Sequence, residues 1–371
     1  MKITNTKISI FIPVYRYSET LEVLITSILR DPYKDKEIFV IIDEPTDESL
    51  KIVKKFQKCV NFILNGNRIG KVNALNETIN LSHGEIFLFL DSDVVINSND
   101  SLSRIIDALN DADIIEVKKN VIEDSFLAKM VKYDYLGFNS ANWLFSKFIK
   151  KCLGVNGAAF AIRREAYKTI GGFRRVISED LDLGIKSFYN GLKFKYLADI
   201  GVLVKIPSSW KWWIKQRKRW AIGAAQWLKE NYKLLIKALR KHPQVLIPSL
   251  ILIFPSLIPF LTTFFIPSTM IFSILSAFLM LFAIKSDIML IILFSTSISA
   301  VIMKNLITLI STFALLSCTF YVFARKLGYR YNPLEFLIYY LIYSPIWLLI
   351  MLASIIIVLI GGDRIKIDWK V

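Results

Sequence analysis

Short apolar runs and helix-like periods alternate along the first part of the chain. Ile8–Ile12 is a strand-like run that is apolar except for Ser9. The apolar residues after it recur at the spacing of one helical face: Leu21, Leu24, Ile25, Ile28 and Leu29. The next apolar run, Ile38–Ile42, is typical of a strand buried on both faces of a parallel sheet. This stretch therefore predicts a βαβ unit.

The same alternation continues as far as residue 90. It predicts a polar helix over 47–58, a strand at Phe62–Leu64, a helix over 71–80 and a strand at Ile86–Leu90. Such an order is typical of an α/β domain with an open, mostly parallel, Rossmann-like sheet. Ligands of these sheets bind beyond the carboxyl ends of the strands. The side chains that follow each strand are therefore candidates for a site.

Between residues 209 and 240 the pattern changes to a basic segment rich in tryptophan. Trp213, Trp220 and Trp227 recur every seven residues, and lysines occupy much of the remaining helical surface. This composition predicts an amphipathic helix lying in the membrane interface. We favour lipid contact for Trp213 and Trp227. Trp220 is instead a candidate for a functional role, because Gln216 and Arg219 accompany it.

Beyond Pro243 charged residues almost vanish. Apolar segments close to the roughly 20 residues that a bilayer requires cover 245–265, 268–284, 288–303, 306–323 and 337–360. We expect four or five spans, with Lys304 as a loop or snorkelling residue. The predicted domains are an α/β domain (1–205), an interfacial helix region (206–242) and an α-helical transmembrane domain (243–371).

The overall composition indicates a membrane protein. Hydrophobic residues make up 54% of the chain and the mean hydropathy is +0.46, which is too apolar for an ordinary soluble protein. A net charge of +16 favours the anionic lipids of the cytoplasmic membrane face over nucleic acid as the partner. Two histidines and three widely spaced cysteines argue against a histidine-held metal or a redox pair. Any metal must be held by carboxylates.

Carboxylates follow two of the predicted strands. Asp43 comes directly after one apolar run, and Asp91 and Asp93 follow another. Two carboxylates one residue apart can both reach a hard divalent cation while leaving room for a diphosphate. Because Asp-x-Asp is also common in solvated turns, this motif alone leaves both interpretations open.

A second acidic motif precedes a predicted helix. Ser178 could cap this helix, and Glu179 and Asp180 would then lie in a first turn that the helix dipole makes favourable for acids. Capping accounts for the motif locally. It does not account for the polar and cationic cluster at 216–220, on the helix that is expected to lie against the membrane.

In order, these motifs resemble glycosyltransferase family 2, of the membrane-bound type that includes cellulose, chitin, hyaluronan and poly-N-acetylglucosamine synthases. The matching motifs are Ile12-Pro13-Val14-Tyr15 with Glu19, Asp43 with Asp47, Asp91-x-Asp93, and Glu179-Asp180 followed by Gln216-x-x-Arg219-Trp220. Gly70–Asn76 and the segment at Asn156-Gly157 resemble two further segments of the family. The resemblance covers about residues 8–225. It implies a GT-A fold, that of the nucleotide-diphospho-sugar transferases, for the α/β domain.

The resemblance also implies roles for single residues. Asp180 is expected to be the general base, with Glu179 and Arg219 also in the catalytic group. The expected nucleotide-sugar contacts are Pro13, Tyr15, Glu19, Asp43, Lys71, Asp91 and Gln216. The expected acceptor contacts are Trp220, Asn156 and Gly157, and Asp91 and Asp93 are expected to hold Mg²⁺ or Mn²⁺.

The expected activity is inverting transfer from a nucleotide sugar, a UDP-sugar, to a saccharide acceptor, building a β-linked polysaccharide or oligosaccharide. The protein would be multi-pass in the cell membrane with its catalytic domain in the cytoplasm. One alternative is transfer of a single sugar to a lipid-linked acceptor, such as a polyprenyl phosphate glycan or a glycolipid. The lack of spans ahead of the α/β domain favours this alternative. A second alternative is a catalytically silent membrane protein that binds nucleotide sugars. The intact acidic set argues against this second alternative.

Overall fold

The computed structural model describes residues 6–96, 98–207, 209–266, 272, 274, 276, 278 and 289–361. Their internal packing divides them into two compact units. One contains the described residues up to Ser249 together with those from Ile350 onward, and the other covers Leu250–Leu349. The predicted domain boundaries after residues 205 and 242 stay predictions.

The first unit is built on an eight-stranded sheet. Its strands are β1 (Ile8–Tyr15), β2 (Lys36–Asp43), β3 (Asn61–Asn65), β4 (Ile86–Leu90), β5 (Val94–Ile96), β6 (Ile114–Val121), β7 (Ala159–Arg163) and β8 (Phe194–Val204). Their order across the sheet is β3-β2-β1-β4-β7-β6-β8-β5. The four strands predicted before residue 90 are all confirmed, β4 with its predicted bounds.

Helices connect and cover these strands. They are α1 (Leu21–Arg30), α2 (Asp47–Phe56), α3 (Lys71–Ile79), α4 (Ser101–Ala108), α5 (Phe126–Leu144), α6 (Arg164–Thr169), α7 (Glu179–Tyr189) and α8 (Trp210–Lys241). Helices α1, α2 and α3 confirm the predicted helices. Since α1 buries Leu21, Leu24 and Ile25 while β1 and β4 are almost wholly buried, the core lies between this helical layer and the sheet.

The sheet is mixed, whereas the sequence predicts a mostly parallel one. Among the described strands, β1/β2, β1/β4, β2/β3 and β6/β8 pair in parallel, and β4/β7, β6/β7 and β5/β8 pair antiparallel. The four strands that the apolar pattern predicts pair in parallel with one another. Because β7 inserts antiparallel beside β4, it brings the segment at 156–158 to the carboxyl ends of β1 and β4.

An aromatic cluster joins the centre of the sheet to the segment after α6. The ring of Phe89 on β4 lies 5.3 Å from Phe11, 4.9 Å from Phe160 and 5.0 Å from Phe173, measured between centroids. These contacts bury large apolar surfaces and fix the ring positions. The cluster therefore forms a rigid floor directly beneath the residues that follow β4.

Helix α8 confirms the predicted helix but corrects the surroundings of its tryptophans. Trp213 is completely buried within the protein, with 0% of its surface exposed. Trp227 donates a hydrogen bond from Nε1 to the carbonyl oxygen of Leu181 at 3.1 Å. A tryptophan of a membrane belt would leave its ring open to lipid, so the lipid contact predicted for Trp213 is wrong. The seven-residue spacing marks the face of α8 that packs against its own domain.

The chain beyond residue 242 is helical where it is described. Its helices are α9 (Pro243–Ile253), α10 (Leu257–Phe265), α11 (Met289–Leu327), α12 (Pro333–Ile338), extended by a π-helical turn (Tyr339–Tyr343), and α13 (Ser344–Gly361). Within the part of the chain that the structure describes, two stretches are long and apolar enough to cross a membrane, Ile298–Leu327 and Pro333–Gly361. Helices α9 and α10 meet at a bend of 98° and would add a third if they form one broken span.

Two of the predicted spans merge in the structure. The segments 288–303 and 306–323 fall within the single helix α11, Met289–Leu327. The predicted span 268–284 lies outside the described residues, apart from four single positions. Lys304 lies inside α11 and not in a loop, and its ammonium donates to the carbonyl oxygens of Thr262 at 3.2 Å and Ile266 at 2.7 Å. The lysine thus satisfies carbonyl groups at the end of α10, as a helix C-terminus requires.

Candidate active site

A cleft lies where β1 and β4 end, next to the start of α7. Its empty volume is about 250 Å³, which includes space open to solvent. Its lining among the described residues is Pro13, Lys71, Leu75, Phe89, Leu90, Asp91, Gly157, Phe160, Phe173, Glu179 and Asp180. Six residues that the sequence singles out therefore meet in one place: Pro13, Lys71, Asp91, Gly157, Glu179 and Asp180.

Lys71 joins the two acidic motifs. Its ammonium lies 2.9 Å from Oδ1 of Asp91 and 2.9 Å from Oε1 of Glu179. Burial alone would lower the pKa of Lys71, but the charges of Asp91 and Glu179 outweigh burial and raise this pKa above its usual range. The lysine is therefore a permanent positive charge in the cleft.

Asp43 holds the turn that precedes Lys71. Its carboxylate accepts hydrogen bonds from Nδ2 of Asn65 at 2.9 Å and from the backbone N–H groups of Ile69 at 3.1 Å and Gly70 at 2.8 Å. Gly70 has φ of +86°, a backbone conformation that a side chain would strain. Only 5% of the surface of Asp43 is exposed. In this structure Asp43 therefore fixes the start of α3, a contact that the sequence does not indicate.

Asp91 and Asp93 follow β4 and place two carboxylates together. Asp93 is exposed at the surface of the site. Desolvation of its carboxylate by the surrounding protein, followed by the charge of Asp91, raises the pKa of Asp93 to about 7. Repulsion of this kind is relieved by a divalent cation, and Mg²⁺ and Mn²⁺ prefer such oxygen ligands. The pair therefore fits a cation whose other ligands come from a diphosphate. No group of three or more acidic, histidine or cysteine residues among the described ones could hold a metal unaided.

Asp180 lies in the first turn of α7. Its Oδ2 accepts a hydrogen bond from the backbone N–H of Gly157 at 3.0 Å, and its Oδ1 accepts one from the N–H of Leu181 at 2.8 Å. Burial, followed by the charge of Glu179, raises the pKa of Asp180 to about 6, against the opposite effect of Lys71. The helix begins where predicted, but Ser178 makes no side-chain capping bond.

Asn156 and Gly157 come from the loop before β7. Gly157 lines the cleft, and an added Cβ there would lie 3.3 Å from Oδ2 of Asp180 and 3.4 Å from Nζ of Lys71. The backbone N–H of Asn156 donates to Oε2 of Glu116 at 2.9 Å. Glu116 is a residue that the sequence analysis missed. Its only signal is a charge inside the apolar start of a strand.

Tyr15 and Glu19 lie at the outer edge of the site. The guanidinium of Arg68 stacks over the Tyr15 ring at 4.2 Å, and the Tyr15 hydroxyl donates to Glu44 at 3.1 Å. Glu19 forms an exposed ion pair with Lys205. Neither Tyr15 nor Glu19 is among the described residues that line the cleft.

Gln216, Arg219 and Trp220 are half-exposed on α8 and are likewise absent from the described lining of the cleft. The buried member of this cluster is Arg217, whose Nη1 lies 2.6 Å from Oδ2 of Asp134. The Arg217 guanidinium also stacks over the Trp220 ring at 4.7 Å. The sequence did not predict a buried Arg217, because a cation on an interfacial helix is expected to face lipid phosphates or water.

Comparison with known proteins identifies the family. Residues 9–171 match the family model described as "Glycosyl transferase family 2". A poly-beta-1,6-N-acetyl-D-glucosamine synthase of Staphylococcus epidermidis is 27% identical over 237 residues, which cover 62% of this chain and 57% of the synthase. A synthase of the same name from Staphylococcus aureus is 26% identical over 268 residues, 70% of this chain and 63% of the synthase. The chain thus spans less than two thirds of the length of these relatives.

A solved structure shares the fold. It is a mannosyltransferase from Pyrobaculum calidifontis in complex with GDP-Man and Mn²⁺, with a TM-score of 0.53, 18% identity, and coverage of 82% of this chain and 88% of the other. At this identity the likeness concerns the fold alone. Together with the family model and the two synthases, it confirms the GT-A fold predicted for the α/β domain. Residues 9–171 of the α/β domain therefore form a glycosyltransferase family 2 domain.

Proposed function

We propose that this glycosyltransferase moves a sugar from a UDP-sugar to the hydroxyl group of a saccharide acceptor, with inversion at the anomeric carbon. The observation that carries the proposal is the environment of Asp180. Its carboxylate is oriented by two backbone N–H groups, lines the same cleft as Lys71 and Asp91, and has a pKa of about 6. A carboxylate with such a pKa is ionised at neutral pH and still basic enough to take a proton.

The donor end of the cleft would be the side of Lys71, Asp91 and Asp93. Displacement of a nucleoside diphosphate builds negative charge on the departing phosphate oxygens. The ammonium of Lys71, fixed by two carboxylates, supplies a positive charge that needs no rearrangement. A Mg²⁺ or Mn²⁺ ion held by Asp91 and Asp93 would act as a Lewis acid on the same oxygens. Gln216 and Arg219 on α8 are proposed to support the diphosphate.

The chemical step follows from this arrangement. The acceptor hydroxyl gives its proton to Asp180 while its oxygen forms a bond to the anomeric carbon. The bond from that carbon to the diphosphate breaks, and its electron pair leaves with the phosphate oxygen. A single displacement inverts the anomeric centre, so an α-linked nucleotide sugar gives a β-glycoside. Trp220 is proposed to stack on the acceptor sugar, because an indole ring packs well against a sugar C–H face.

The proposed setting is the cytoplasmic face of the cell membrane. Two stretches of the described residues are long and apolar enough to span a bilayer, and the net charge of +16 suits the anionic cytoplasmic surface. The relatives named poly-beta-1,6-N-acetyl-D-glucosamine synthases support a β-linked polysaccharide or oligosaccharide as the product. We therefore propose that the acceptor is a growing saccharide.

The test is nucleotide release by the full chain in detergent, with Mg²⁺ or Mn²⁺ and a panel of nucleotide sugars. Wild-type protein should release free nucleotide with at least one donor, and Asp180→Asn should lower that rate by about 10²–10⁴-fold, the usual contribution of a general base. Asp199→Asn is the control, since Asp199 is an exposed carboxylate of β8 outside the cleft. Normal turnover by Asp180→Asn would show that the assigned base is wrong.

The length of the product tests the acceptor. A ladder of saccharide sizes from one purified enzyme would support elongation. Addition of a single sugar to a lipid-linked acceptor would refute elongation and support single-sugar transfer instead. Trp220→Ala should weaken transfer to the acceptor more than hydrolysis of the donor, because only transfer uses the stacked sugar. Equal losses in both reactions would refute the stacking role.

A further inference from the structure

Two charged residues of β6 form an ion pair that is closed off from solvent. Nζ of Lys119 lies 2.5 Å from Oε1 of Glu116, and each side chain is 1% exposed. Removing two charges from water is costly unless further hydrogen bonds satisfy them. A buried pair in the middle of a strand is therefore stable only if other groups hydrogen-bond to its members.

Glu116 is the junction of this network. Its Oε1 also accepts a hydrogen bond from Nδ2 of Asn142 at 2.8 Å, and its Oε2 accepts one from the backbone N–H of Asn156 at 2.9 Å. On the same strand, the carbonyl oxygen of Lys119 accepts from Nδ2 of Asn139 at 2.9 Å. One carboxylate thus ties β6 to α5 and to the loop before β7.

That loop reaches the candidate base within two residues. The N–H of Gly157 donates to Oδ2 of Asp180 at 3.0 Å, and the carbonyl oxygen of Ala158 accepts from the N–H of Asp91 at 3.0 Å. Residues 156–158 therefore contact Glu116 on one side and both Asp180 and Asp91 on the other. A shift of this loop would change the hydrogen bond to Asp180 directly.

Resting on the function proposed above, we propose that Glu116 is a positioning residue whose carboxylate fixes residues 156–158 and so aims the Gly157 N–H at Asp180. Hydrogen bonding to the charged form of a carboxylate favours that form. The anchored loop therefore keeps Asp180 ionised and oriented at neutral pH. The charged groups that face Asp180 are Glu179 and Lys71 in the cleft and Lys119 on β6.

The test compares two double variants, each of which removes the charges of both Glu116 and Lys119. Glu116→Gln with Lys119→Met keeps a side-chain oxygen for the Asn156 N–H, and Glu116→Leu with Lys119→Met removes it. Both remove the Glu116–Lys119 ion pair as a whole, and both lack the Lys119 charge near Asp180. The difference between them therefore reports chiefly on the side-chain oxygen that accepts from the Asn156 N–H. Glu123→Gln is an outside control, because Glu123 pairs with the buried Lys132 at 2.9 Å, away from the described lining of the cleft.

The leucine variant should show a kcat about 10- to 100-fold below that of the glutamine variant, as expected for a misplaced catalytic group. Its acid limb in the pH–rate profile should lie about half a pH unit or more higher, because Asp180 loses a hydrogen bond that favours its charged form. The donor KM should be the same in both variants. Amide hydrogen exchange of the peptide that contains Asn156 and Gly157 should be faster in the leucine variant and unchanged in Glu123→Gln.

A merely structural role would lower the thermal midpoint without moving the acid limb. If the leucine variant fails to fold, Glu116→Asp takes its place, since it keeps the charge but is one methylene shorter and should give the same changes in weaker form. Equal exchange rates and equal pH profiles in the compared variants would overturn the inference. Hydrogen exchange does not need turnover. A wild-type protein that releases no nucleotide would therefore refute the proposed function, while exchange still decides whether Glu116 anchors the loop.

Discussion

Asp180 is a carboxylate whose surroundings oppose its ionisation. Burial and the charge of Glu179 raise its pKa to about 6. Because a base must be ionised to act, we expect kcat/KM to fall as the pH drops below about 6. Nucleotide release measured between about pH 5 and 9 checks this expectation. A rate that stays level through pH 6 would contradict the assignment.

The same raised pKa predicts a pH-dependent effect on stability. The unfolded chain ionises Asp180 near the ordinary value of 3.8, and the folded protein does so near 6. Between these values the unfolded state releases a proton that the folded state keeps, so the contribution of Asp180 to wild-type stability declines as the pH rises from about 4 to 6. Asparagine does not titrate. We expect the thermal midpoint of Asp180→Asn, relative to that of the wild type, to increase as the pH rises through this window. The midpoint of Asp199→Asn relative to the wild type should not change in this way.

Asp43 offers a test of the donor side. Its carboxylate holds the N–H groups of Ile69 and Gly70, the turn from which Lys71 projects. Asp43→Asn replaces one acceptor oxygen by a donor and loosens this turn, so we expect about a tenfold or greater loss of kcat/KM with every donor. Direct contact with the nucleobase predicts a different result, in which the preference among UDP- and GDP-sugars changes. Steady-state rates with both donors distinguish the two.

The residues of the site divide by how much the sequence reveals of them. Asp43 and Asp91 could be predicted to lie at one edge of the sheet, because each stands at the end of a strand. That Lys71, Glu179 and Asp180 meet Asp91 was expected only from the resemblance to glycosyltransferase family 2. Glu116 could not be predicted, since a charged residue in an apolar strand has no periodic signature and its partner Asn156 is distant in the chain. Their contact exists only because β7 lies beside β6.

At the scale of elements, α8 packs closely on the segment that leads into α7. A Cβ built at Gly223 would lie 2.2 Å from Oγ of Ser178 and 2.8 Å from Cγ2 of Ile177, both closer than real Cβ contacts allow. Gly223→Ala must therefore shift α8 or residues 177–178, directly ahead of Glu179 and Asp180. We expect about a tenfold loss of kcat. Nucleotide release measures it.

Two further variants frame that prediction. Adding Ser178→Ala removes the nearer of the two clashing atoms and should restore part of the rate. Gly66→Ala serves as the matched control, because a Cβ at Gly66 would meet nothing within 4 Å. A Gly223→Ala enzyme with the wild-type rate would mean that the approach of α8 to this segment does not position the base.

The elements that the sequence predicts best are those with one uniform environment. Strands β1, β2 and β4 are buried on both faces, so each reads as one apolar run. Strand β8 is harder to recognise, since Lys195 and Asp199 interrupt it. In α11 the polar pair Lys304 and Asn305 suggests a break between two spans, but Lys304 instead reaches carbonyl groups at the end of α10 and the helix continues.

At the scale of the whole molecule, three cysteines report on placement in the membrane. Cys59 is exposed on the α/β unit, Cys152 is buried, and Cys318 is exposed on α11. Burial raises the pKa of the Cys152 thiol, which keeps it in its unreactive protonated form. If Ile298–Leu327 crosses the bilayer, the exposed surface of Cys318 faces hydrocarbon. A membrane-impermeant maleimide is polar and does not enter hydrocarbon.

We therefore expect a membrane-impermeant maleimide to label Cys59 alone in inside-out vesicles and to label neither Cys59 nor Cys318 in intact cells. Full denaturation should expose all three thiols. Mass spectrometry of Cys59→Ser and Cys318→Ser assigns each label. Labelling of Cys59 in intact cells would place the catalytic domain outside the cytoplasm. Labelling of Cys318 in vesicles would mean that this face of α11 meets water. In that case Pro333–Gly361 would still be long and apolar enough to anchor the chain, and washing with high salt should not release it.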